Sequence, residues 1–306
     1  MAVTAAMVKE LRELSGAGMS ACKDALVEAN GDLERASEIL REKGLAAAAK
    51  KAGRVASEGL VHVVLADDRK SAAIVEVNSE TDFVAKNQDF IDYVEQVANL
   101  ALSANAADMD AFMAVQWPGG TETVQDVLTQ KIATIGENVG IRRFTRYEAA
   151  ANGVIIHYIH SGGRVGVMLE MNSDVVNDDL IEAGRNLGMQ IAAMSPQFVA
   201  RADVPEDFIA KEKEILLQQA INEGSKPEIA EKKVAGRLAK SLKDMCLLEQ
   251  EYVKDGDMNC AKYIESVGQA IGGTVSLTRF VRYGTGEGIE KKEEDFAAEV
   301  SKAISG

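Results

Sequence analysis

The hydrophobic positions in the first fifty residues recur at helical spacing and predict three short helices. We expect these helices to begin after Thr4, Ser20 and Asp32, because such side chains are good N-caps. Gly44 stands where a C-terminal cap belongs, and residues 46–53 are predicted to be a linker that could be partly helical. The predicted inward positions are Met7, Val8, Leu11, Leu14, Cys22, Ala25, Leu26, Ala29, Leu33, Ala36, Ile39 and Leu40. Residues 1–54 are therefore expected to form an N-terminal three-helix bundle.

The main body of the chain contains an internal repeat. Glu76-Val-Asn-Ser-Glu80 returns as Glu170-Met-Asn-Ser-Asp174, an offset of 94 residues. Each copy opens with two strand-like runs joined by a short turn, and a helix-like run follows. The strand runs are residues 60–65 and 72–77 in the first copy and 154–159 and 165–171 in the second; the helical runs are 90–102 and 180–194.

Each copy also closes in the same way, but at a larger offset. Ile135-Gly-Glu-Asn-Val139 precedes Arg143-Phe-Thr-Arg-Tyr147, and Ile271-Gly-Gly-Thr-Val275 precedes Arg279-Phe-Val-Arg-Tyr283, an offset of 136. The two offsets differ by 42 residues, so the second copy carries an insertion of that length. Two helical runs, at 205–223 and 227–245, are separated by a short turn and predict an antiparallel helical hairpin there.

These patterns predict an α+β fold with two similar antiparallel-sheet subdomains. The expected division is a core subdomain at 55–150, a second one at 151–200 and 246–284, the hairpin at 201–245 and a C-terminal module at 285–306. Within the last part, residues 293–304 have the spacing of a short amphipathic helix.

Composition narrows the functional classes. The formal net charge of −14 argues against direct nucleic-acid binding, because such proteins usually carry a basic face. Three scattered cysteines without a Cys-x-x-Cys pair suggest reduced thiols and a cytoplasmic protein. No apolar run is long enough to span a membrane, and no Arg-rich leader precedes Val3, which disfavours a mitochondrial protein.

The residues that could support catalysis are few. His62 and His157 lie in predicted strands, where packing or surface roles are more common than catalysis. His157 and His160 have a spacing seen in metal pairs, but no third ligand is evident, so a metal-dependent enzyme is a remote alternative. No phosphate-loop motif occurs, and the chain is not expected to be a GTPase itself. We therefore expect no enzyme, no cofactor and no bound metal.

One segment, Asn78-Ser-Glu-Thr-Asp-Phe-Val-Ala85, is unusual because the second copy has Asn172-Ser-Asp-Val-Val176 in its place. Two interpretations stay open. Thr81 or Asp82 caps a helix and Phe83 packs into the core, or the segment is an exposed acidic and aromatic tip. Such a tip at the end of a rigid strand could enter a pocket of a partner protein.

This segment extends into a longer motif, Thr81-Asp-Phe-Val-Ala-Lys-Asn87, which resembles the signature of the elongation factor Ts family. Leu11-Arg-Glu-Leu-Ser-Gly-Ala-Gly-Met19, Cys22-Lys-Asp-Ala-Leu26, the Ile135 segment and Leu247-Leu-Glu-Gln250 resemble the family too. The resemblance covers nearly the whole chain in order. It implies a UBA-like N-terminal bundle, two core subdomains, a helical hairpin and a C-terminal module.

The resemblance also implies a function: exchange of guanine nucleotide on elongation factor Tu, by binding its GDP form and promoting GDP release. Asp82 and Phe83, with Thr81 and Val84 beside them, would form a tip that enters the partner near its Mg²⁺ site. Further implied contacts are Lys23, Ile135, Gly136, His160, Arg164 and Val253. The family often has Pro-Phe before that valine, where this chain has Glu251-Tyr252, so the local backbone could differ.

The hairpin is the candidate place for homodimer contacts, and the sequence leaves a one-to-one and a two-plus-two complex both open. The competing class is an adaptor, in which the bundle and the hairpin tether proteins without affecting nucleotide.

Overall fold

The computed structural model describes residues 3–290 and has an α+β fold. Its chain divides into two compact units. The described part of the first comprises residues 3–62, 75–144 and 284–290, and the second comprises 63–74 and 145–283. The described residues form two three-stranded sheets. The first has the order β1 (Glu58–Leu65), β2 (Ser71–Ser79), β3 (Gly140–Glu148), and the second has the order β4 (Gly153–His160), β5 (Val165–Ser173), β8 (Val275–Gly284).

The N-terminal bundle consists of α1 (Ala5–Ser15), α2 (Met19–Glu28) and α3 (Leu33–Lys51). Thr4 and Asp32 cap α1 and α3 as predicted, each accepting a backbone N–H three residues ahead, from Met7 and Arg35. The predicted inward residues that are fully buried are Val8, Leu11, Cys22, Ala25, Leu26, Ala29, Ala36 and Ile39.

Two positions in α1 and α2 differ from the prediction. Ser20 is not a cap, because α2 begins at Met19 and Gly18 occupies the N-cap position without a side-chain hydrogen bond. Leu14 was expected on the inner face of α1 but is 72% exposed. It lies three residues beyond the buried Leu11, in the last turn of the helix, where the bundle no longer covers that side.

The first sheet contains β1 (Glu58–Leu65), β2 (Ser71–Ser79) and β3 (Gly140–Glu148). The predicted pair of strands in the first copy is therefore confirmed. Nearly all of β2 is buried, as expected for the central strand of a sheet. The helices between β2 and β3 are α4 (Asp82–Ala85), α5 (Gln88–Ser103), α6 (Met109–Met113) and α7 (Val124–Ile135).

Gly44 was predicted to end α3, but the helix continues to Lys51. Most of the predicted linker is therefore helical. At Gly44 the helix passes close to α7, and a methyl group there would lie 3.7 Å from the Ala133 Cβ and 4.0 Å from the Thr129 Cγ2. Gly44 therefore marks neither a helix end nor a chain reversal, and a methyl group there would fit beside α7.

The second sheet contains β4 (Gly153–His160), β5 (Val165–Ser173) and β8 (Val275–Gly284). β4 and β5 form an antiparallel hairpin whose register runs from Gly153 opposite Asn172 to His160 opposite Val165. Two helices, α8 (Asp178–Met194) and α11 (Cys260–Ile271), complete its core. The core residues include Ile156, Leu169, Leu187, Ile191 and Ile264.

The predicted insertion is an antiparallel hairpin of α9 (Glu206–Asn222) and α10 (Pro227–Met245). Ala220, Ala230 and Val234 form a small core between the two helices. A separate cluster at the base joins Val204, Leu242 and Cys246. After the hairpin the chain forms two short strands, β6 (Glu251–Tyr252) and β7 (Asp255–Asn259).

The repeat seen in the sequence is also a repeat of contacts. In the first copy the Nε of Arg143 donates to Glu76 at 2.6 Å, and Glu76 is fully buried. In the second copy the Nε of Arg279 donates to the buried Glu170 at 2.7 Å. Each pair joins the closing strand of its copy to the central strand, so the matched motifs mark equivalent ion pairs.

The end of the predicted C-terminal module, including the expected helix at 293–304, lies outside the described residues. Within residues 3–290, no helix is both long and apolar enough to cross a membrane. The three cysteines are free and buried.

Candidate functional site

The segment from Thr81 to Lys86 is one turn of helix. Thr81 has an extended backbone and is the N-cap of α4, with its hydroxyl accepting the Val84 N–H at 3.4 Å. Asn87 then caps α5 by accepting the Asp89 N–H at 2.9 Å. Two caps within seven residues force the chain into a single exposed turn before the long helix begins.

Phe83 is exposed on this turn. Phe83 is 81% exposed, whereas Ala85, two residues further along the chain, is buried. Asp82 forms an ion pair with Lys86 at 2.6 Å, one helical turn away. Of the two open interpretations, the capping role of Thr81 is confirmed, but the packing of Phe83 into the core is wrong. The cap supports the exposed tip.

The turn is tied to the loop that follows α7. Glu137 accepts two hydrogen bonds from Thr81, one from its backbone N–H at 3.0 Å and one from its hydroxyl at 2.7 Å. Next to it, Glu80 accepts the Asn138 N–H at 2.5 Å and lies 3.5 Å from the Arg54 guanidinium. The Asn138 side chain also donates to the Arg54 carbonyl at 2.7 Å. We call Thr81–Val84 together with residues 135–138 the tip cluster.

Ile135 and Gly136, two residues implied by the resemblance, belong to this cluster. Ile135 is the last residue of α7, and Gly136 ends the helix in the left-handed conformation with φ of 85°. A glycine is favoured there because a side chain would be strained at this φ. The fold therefore brings together two sequence segments about fifty residues apart, Thr81–Val84 and Ile135–Gly136.

Glu80, Glu137 and Asn138 were not identified as site residues from the sequence. The repeat was the available signal for Glu80 and Asn138, but not for Glu137, whose counterpart is Gly273. Glu80 and Asn138 correspond to Asp174 and Thr274, and the Thr274 N–H donates to Asp174 at 2.7 Å. A hydrogen bond between the two matched motifs could thus have been expected in both copies.

Lys23 lies exposed on α2 in the same unit. Leu14 and Met19, on the same bundle, are exposed apolar side chains, at 72% and 53%. Exposed large hydrophobic residues beside a cation are typical of a surface that a partner covers.

The other implied contacts lie in the second unit. His160 ends β4 and Arg164 follows the turn into β5, where both side chains are exposed. The Tyr158 hydroxyl lies 3.1 Å from the His160 Nδ1. The position of the exposed Val253 depends on Gln190, whose side-chain oxygen accepts the Val253 N–H at 2.8 Å.

The departure from the family at Glu251-Tyr252 is accommodated by packing. The ring of Tyr252 is buried and stacks on Tyr263 with 4.1 Å between ring centroids. Burial raises the pKa of the Tyr252 hydroxyl. Tyrosine therefore behaves as a core aromatic residue at this position.

The histidines do not form a metal site. His157 and His160 are three residues apart on β4, and residues at odd spacing point to opposite faces of a strand. Among residues 3–290, no group of three His, Cys, Asp or Glu side chains is placed to hold a metal ion. The remaining histidine, His62, is partly buried, which lowers its pKa despite the nearby Glu95.

Two family profiles match this chain, one over the N-terminal bundle and one over the part that includes the tip cluster. The family profile described as Elongation factor TS matches residues 80–287, and the UBA/TS-N domain profile matches residues 3–40. The chain belongs to the elongation factor Ts family. Elongation factor Ts from Clostridium perfringens (strain ATCC 13124) is 50% identical over 98% of both chains. The Elongation factor Ts proteins of Clostridium botulinum (strain Eklund 17B) and Clostridioides difficile (strain 630) are 50% and 48% identical over 99% of both chains.

Proposed function

We propose that this member of the elongation factor Ts family is a guanine-nucleotide exchange factor of translation elongation. It binds elongation factor Tu in the GDP form and promotes GDP release, so that GTP can be loaded. The proposed activity needs no catalytic group on this chain. It requires a surface that binds the nucleotide-free partner better than the GDP-bound one.

The observation that carries the proposal is the exposed Phe83 on a firmly held turn. A large apolar side chain that is 81% exposed gains free energy when a partner buries it. Aromatic residues of this kind are common anchors at the centre of interfaces. Phe83 would wedge between helices of the partner near its Mg²⁺ site, and Asp82 would orient the turn by hydrogen bonds.

The free-energy change needed to accelerate GDP release is modest. Bound GDP is held by phosphate contacts and by Mg²⁺, which is the largest local charge in such a site. Accelerating release 10³-fold requires lowering the barrier by roughly 4 kcal/mol. By linkage, the factor can shift the equilibrium only as far as its affinities for the two partner states differ. Burial of one aromatic side chain supplies about 1.5–3 kcal/mol, so further contacts must contribute.

We propose that these further contacts come from two groups of residues. Ile135 and Gly136 adjoin the tip, and Lys23 lies on the bundle with the exposed Leu14 and Met19. In the second unit, the proposed contacts to another domain of the partner are His160, Arg164 and Val253. All of these except the half-buried Ile135 are exposed, which supports a role at an interface.

The proposal predicts that Phe83→Ala slows exchange without harming the fold. Truncation of an exposed side chain should change the free energy of unfolding by less than about 0.5 kcal/mol. Release of a fluorescent GDP from elongation factor Tu, with Mg²⁺ present, measures the effect. We expect strong acceleration by the wild-type chain and a loss of tenfold or more, roughly 1.4 kcal/mol or above, in the variant.

Val176→Ala is a matched control. Val176 is also an exposed apolar residue, 58% accessible, on the corresponding turn of the second copy. It should leave exchange unchanged at equal folded concentration. If Phe83→Ala and Val176→Ala have equal effects, the specific role of Phe83 is wrong.

The adaptor hypothesis predicts a different result in the same assay. An adaptor would bind its partner and leave GDP release at the intrinsic rate. Well-folded wild-type protein that fails to accelerate release would therefore reject exchange and favour tethering.

A further inference from the structure

We propose that Glu137 is a positioning residue for the tip, holding Phe83 ready for the partner. The inference rests on the proposed exchange function and adds a residue to it. Glu137 is half-buried in the loop after α7 and lies more than fifty residues from Thr81 in sequence. Its carboxylate accepts both polar hydrogens of Thr81, at 3.0 and 2.7 Å.

The bonds to Glu137 fix the direction in which the Thr81 hydroxyl proton points. A hydroxyl has one proton, and here it is donated to Glu137. The oxygen lone pairs are then directed at the Val84 N–H, where they cap the turn that carries Phe83. The Thr81 carbonyl accepts a further bond, from the Ser79 hydroxyl at 3.0 Å. Every polar group of Thr81 is thus engaged, and the orientation of the turn is fixed.

The second copy of the repeat shows which bonds form in the common scaffold when Thr81 and Glu137 are absent. Val175 stands where Thr81 does, and Gly273 stands where Glu137 does, so the hydroxyl donor and the carboxylate acceptor are both missing. The neighbouring bond, between Asp174 and the Thr274 N–H, is present at 2.7 Å. The common scaffold therefore folds without the two bonds that join Thr81 to Glu137. It keeps the bond from the Ser173 hydroxyl to the Val175 carbonyl, at 2.7 Å, which corresponds to the one from Ser79 to Thr81. The bonds between Thr81 and Glu137 are particular to the copy with the exposed phenylalanine.

Glu137 also joins two proposed contact segments. It directly follows Ile135 and Gly136, and its bonds to Thr81 set the distance between them and the tip. Charge-assisted hydrogen bonds of this kind are stronger than neutral ones. A surface ordered before binding avoids the loss of conformational freedom that would otherwise oppose association.

The test is a double-mutant cycle on GDP release from elongation factor Tu. Exchange is measured against factor concentration for wild type, Glu137→Ala, Phe83→Ala and the double variant, at matched folded concentration. We expect Glu137→Ala to lower the maximal rate roughly tenfold, the effect of losing charged hydrogen bonds. In the Phe83→Ala background the same change should have almost no effect, because the residue being positioned is absent.

Two further variants act as controls. Glu137→Gln keeps one acceptor oxygen, and its maximal exchange rate should lie between those of wild type and Glu137→Ala. It replaces Glu137→Ala in the cycle if that variant folds poorly. Asp174→Ala removes the acidic residue of the corresponding turn in the second copy and should not change exchange.

Equal loss from Glu137→Ala in both backgrounds, or no loss in either, would overturn the positioning role. Failure of the exchange function itself gives a different result, namely no acceleration by the wild-type chain. If the wild-type chain is active and Phe83→Ala is as active, both the wedge and the positioning role are wrong.

Discussion

Gln190 is a buried polar side chain whose bonds hold a proposed contact residue in place. Its amide nitrogen donates to the Gln250 side chain at 3.1 Å and to the Glu251 carbonyl at 3.0 Å. Its oxygen accepts the Val253 N–H at 2.8 Å. Both glutamines are almost completely buried, so these groups have little access to water if a bond is lost.

We expect Gln190→Ala to lower the free energy of unfolding by about 1–3 kcal/mol, because buried polar groups lose their partner. Urea denaturation followed by circular dichroism measures the change. Gln218→Ala is the control, since Gln218 is exposed on α9 and its side chain donates to Asn222 nearby. A loss no larger than that of the control would show that water replaces the bonds of Gln190.

Single residues were predictable where local chemistry decides their role. Thr4 and Asp32 were correctly predicted as caps because a capping side chain needs only its own helix. The exposure of Phe83 was left open, since a cap fixes the backbone but not what covers the next side chain. The role of Glu137 depends on a contact across more than fifty residues, which periodicity does not reveal.

At the scale of elements, Gly44 and Gly188 both lie where a helix packs against another element. A methyl group would fit at Gly44 but not at Gly188. A methyl group at Gly44 in α3 would meet α7 at ordinary van der Waals distance, 3.7 Å or more. At Gly188 in α8 it would lie 2.6 Å from the Tyr158 Cβ on β4. That atom is attached to the backbone, so it cannot rotate away.

This contrast predicts opposite effects of the same change. Gly44→Ala should stabilise the protein by about 0.5–1 kcal/mol, because glycine is unfavourable inside a helix. Gly188→Ala should destabilise it by about 1–3 kcal/mol through overpacking. Denaturant unfolding of both variants is the measurement. The same sign for both would contradict the described packing of α8 on β4.

Most elements were predictable from periodicity, but one helix end was misplaced and two helices were missed. The strands of both hairpins and the helices α5, α8, α9 and α10 follow regular apolar patterns. Gly44 was mistaken for a helix end because a glycine in a packed crossing and a C-cap glycine look alike in one sequence. α7 and α11 were not predicted; they end at Gly136 and Gly272, both in the left-handed conformation.

At the scale of the whole molecule, one architecture occurs twice, and the two copies differ in what they add to it. Equivalent ion pairs, from Glu76 to Arg143 and from Glu170 to Arg279, stabilise both copies. The first copy adds the tip with Phe83, and the second adds the helical hairpin. The repeat predicted both the shared scaffold and the place of the insertion. It could not predict which differences serve a partner, because that depends on exposure.

The hairpin has two separate clusters, and this separation leads to the last prediction. The outer cluster of Ala220, Ala230 and Val234 is distinct from the cluster at the base. Replacing residues 216–236 with a short glycine–serine turn removes the outer cluster and keeps the base intact. We expect the shortened chain to fold, because the first copy forms its sheet without any such insertion.

The same variant tests the hairpin as a homodimer contact. Ile221 and Ile229 are exposed near the hairpin turn and are removed with it, so apolar contacts between two copies would be lost. Light scattering after size-exclusion chromatography should give a dimer mass for the wild type at high concentration and a monomer mass for the shortened chain. A double variant, Ile221→Ser with Ile229→Ser, is the control that keeps the helix length, and it should also be monomeric. Equal masses for wild type and shortened chain would assign any self-association to another surface.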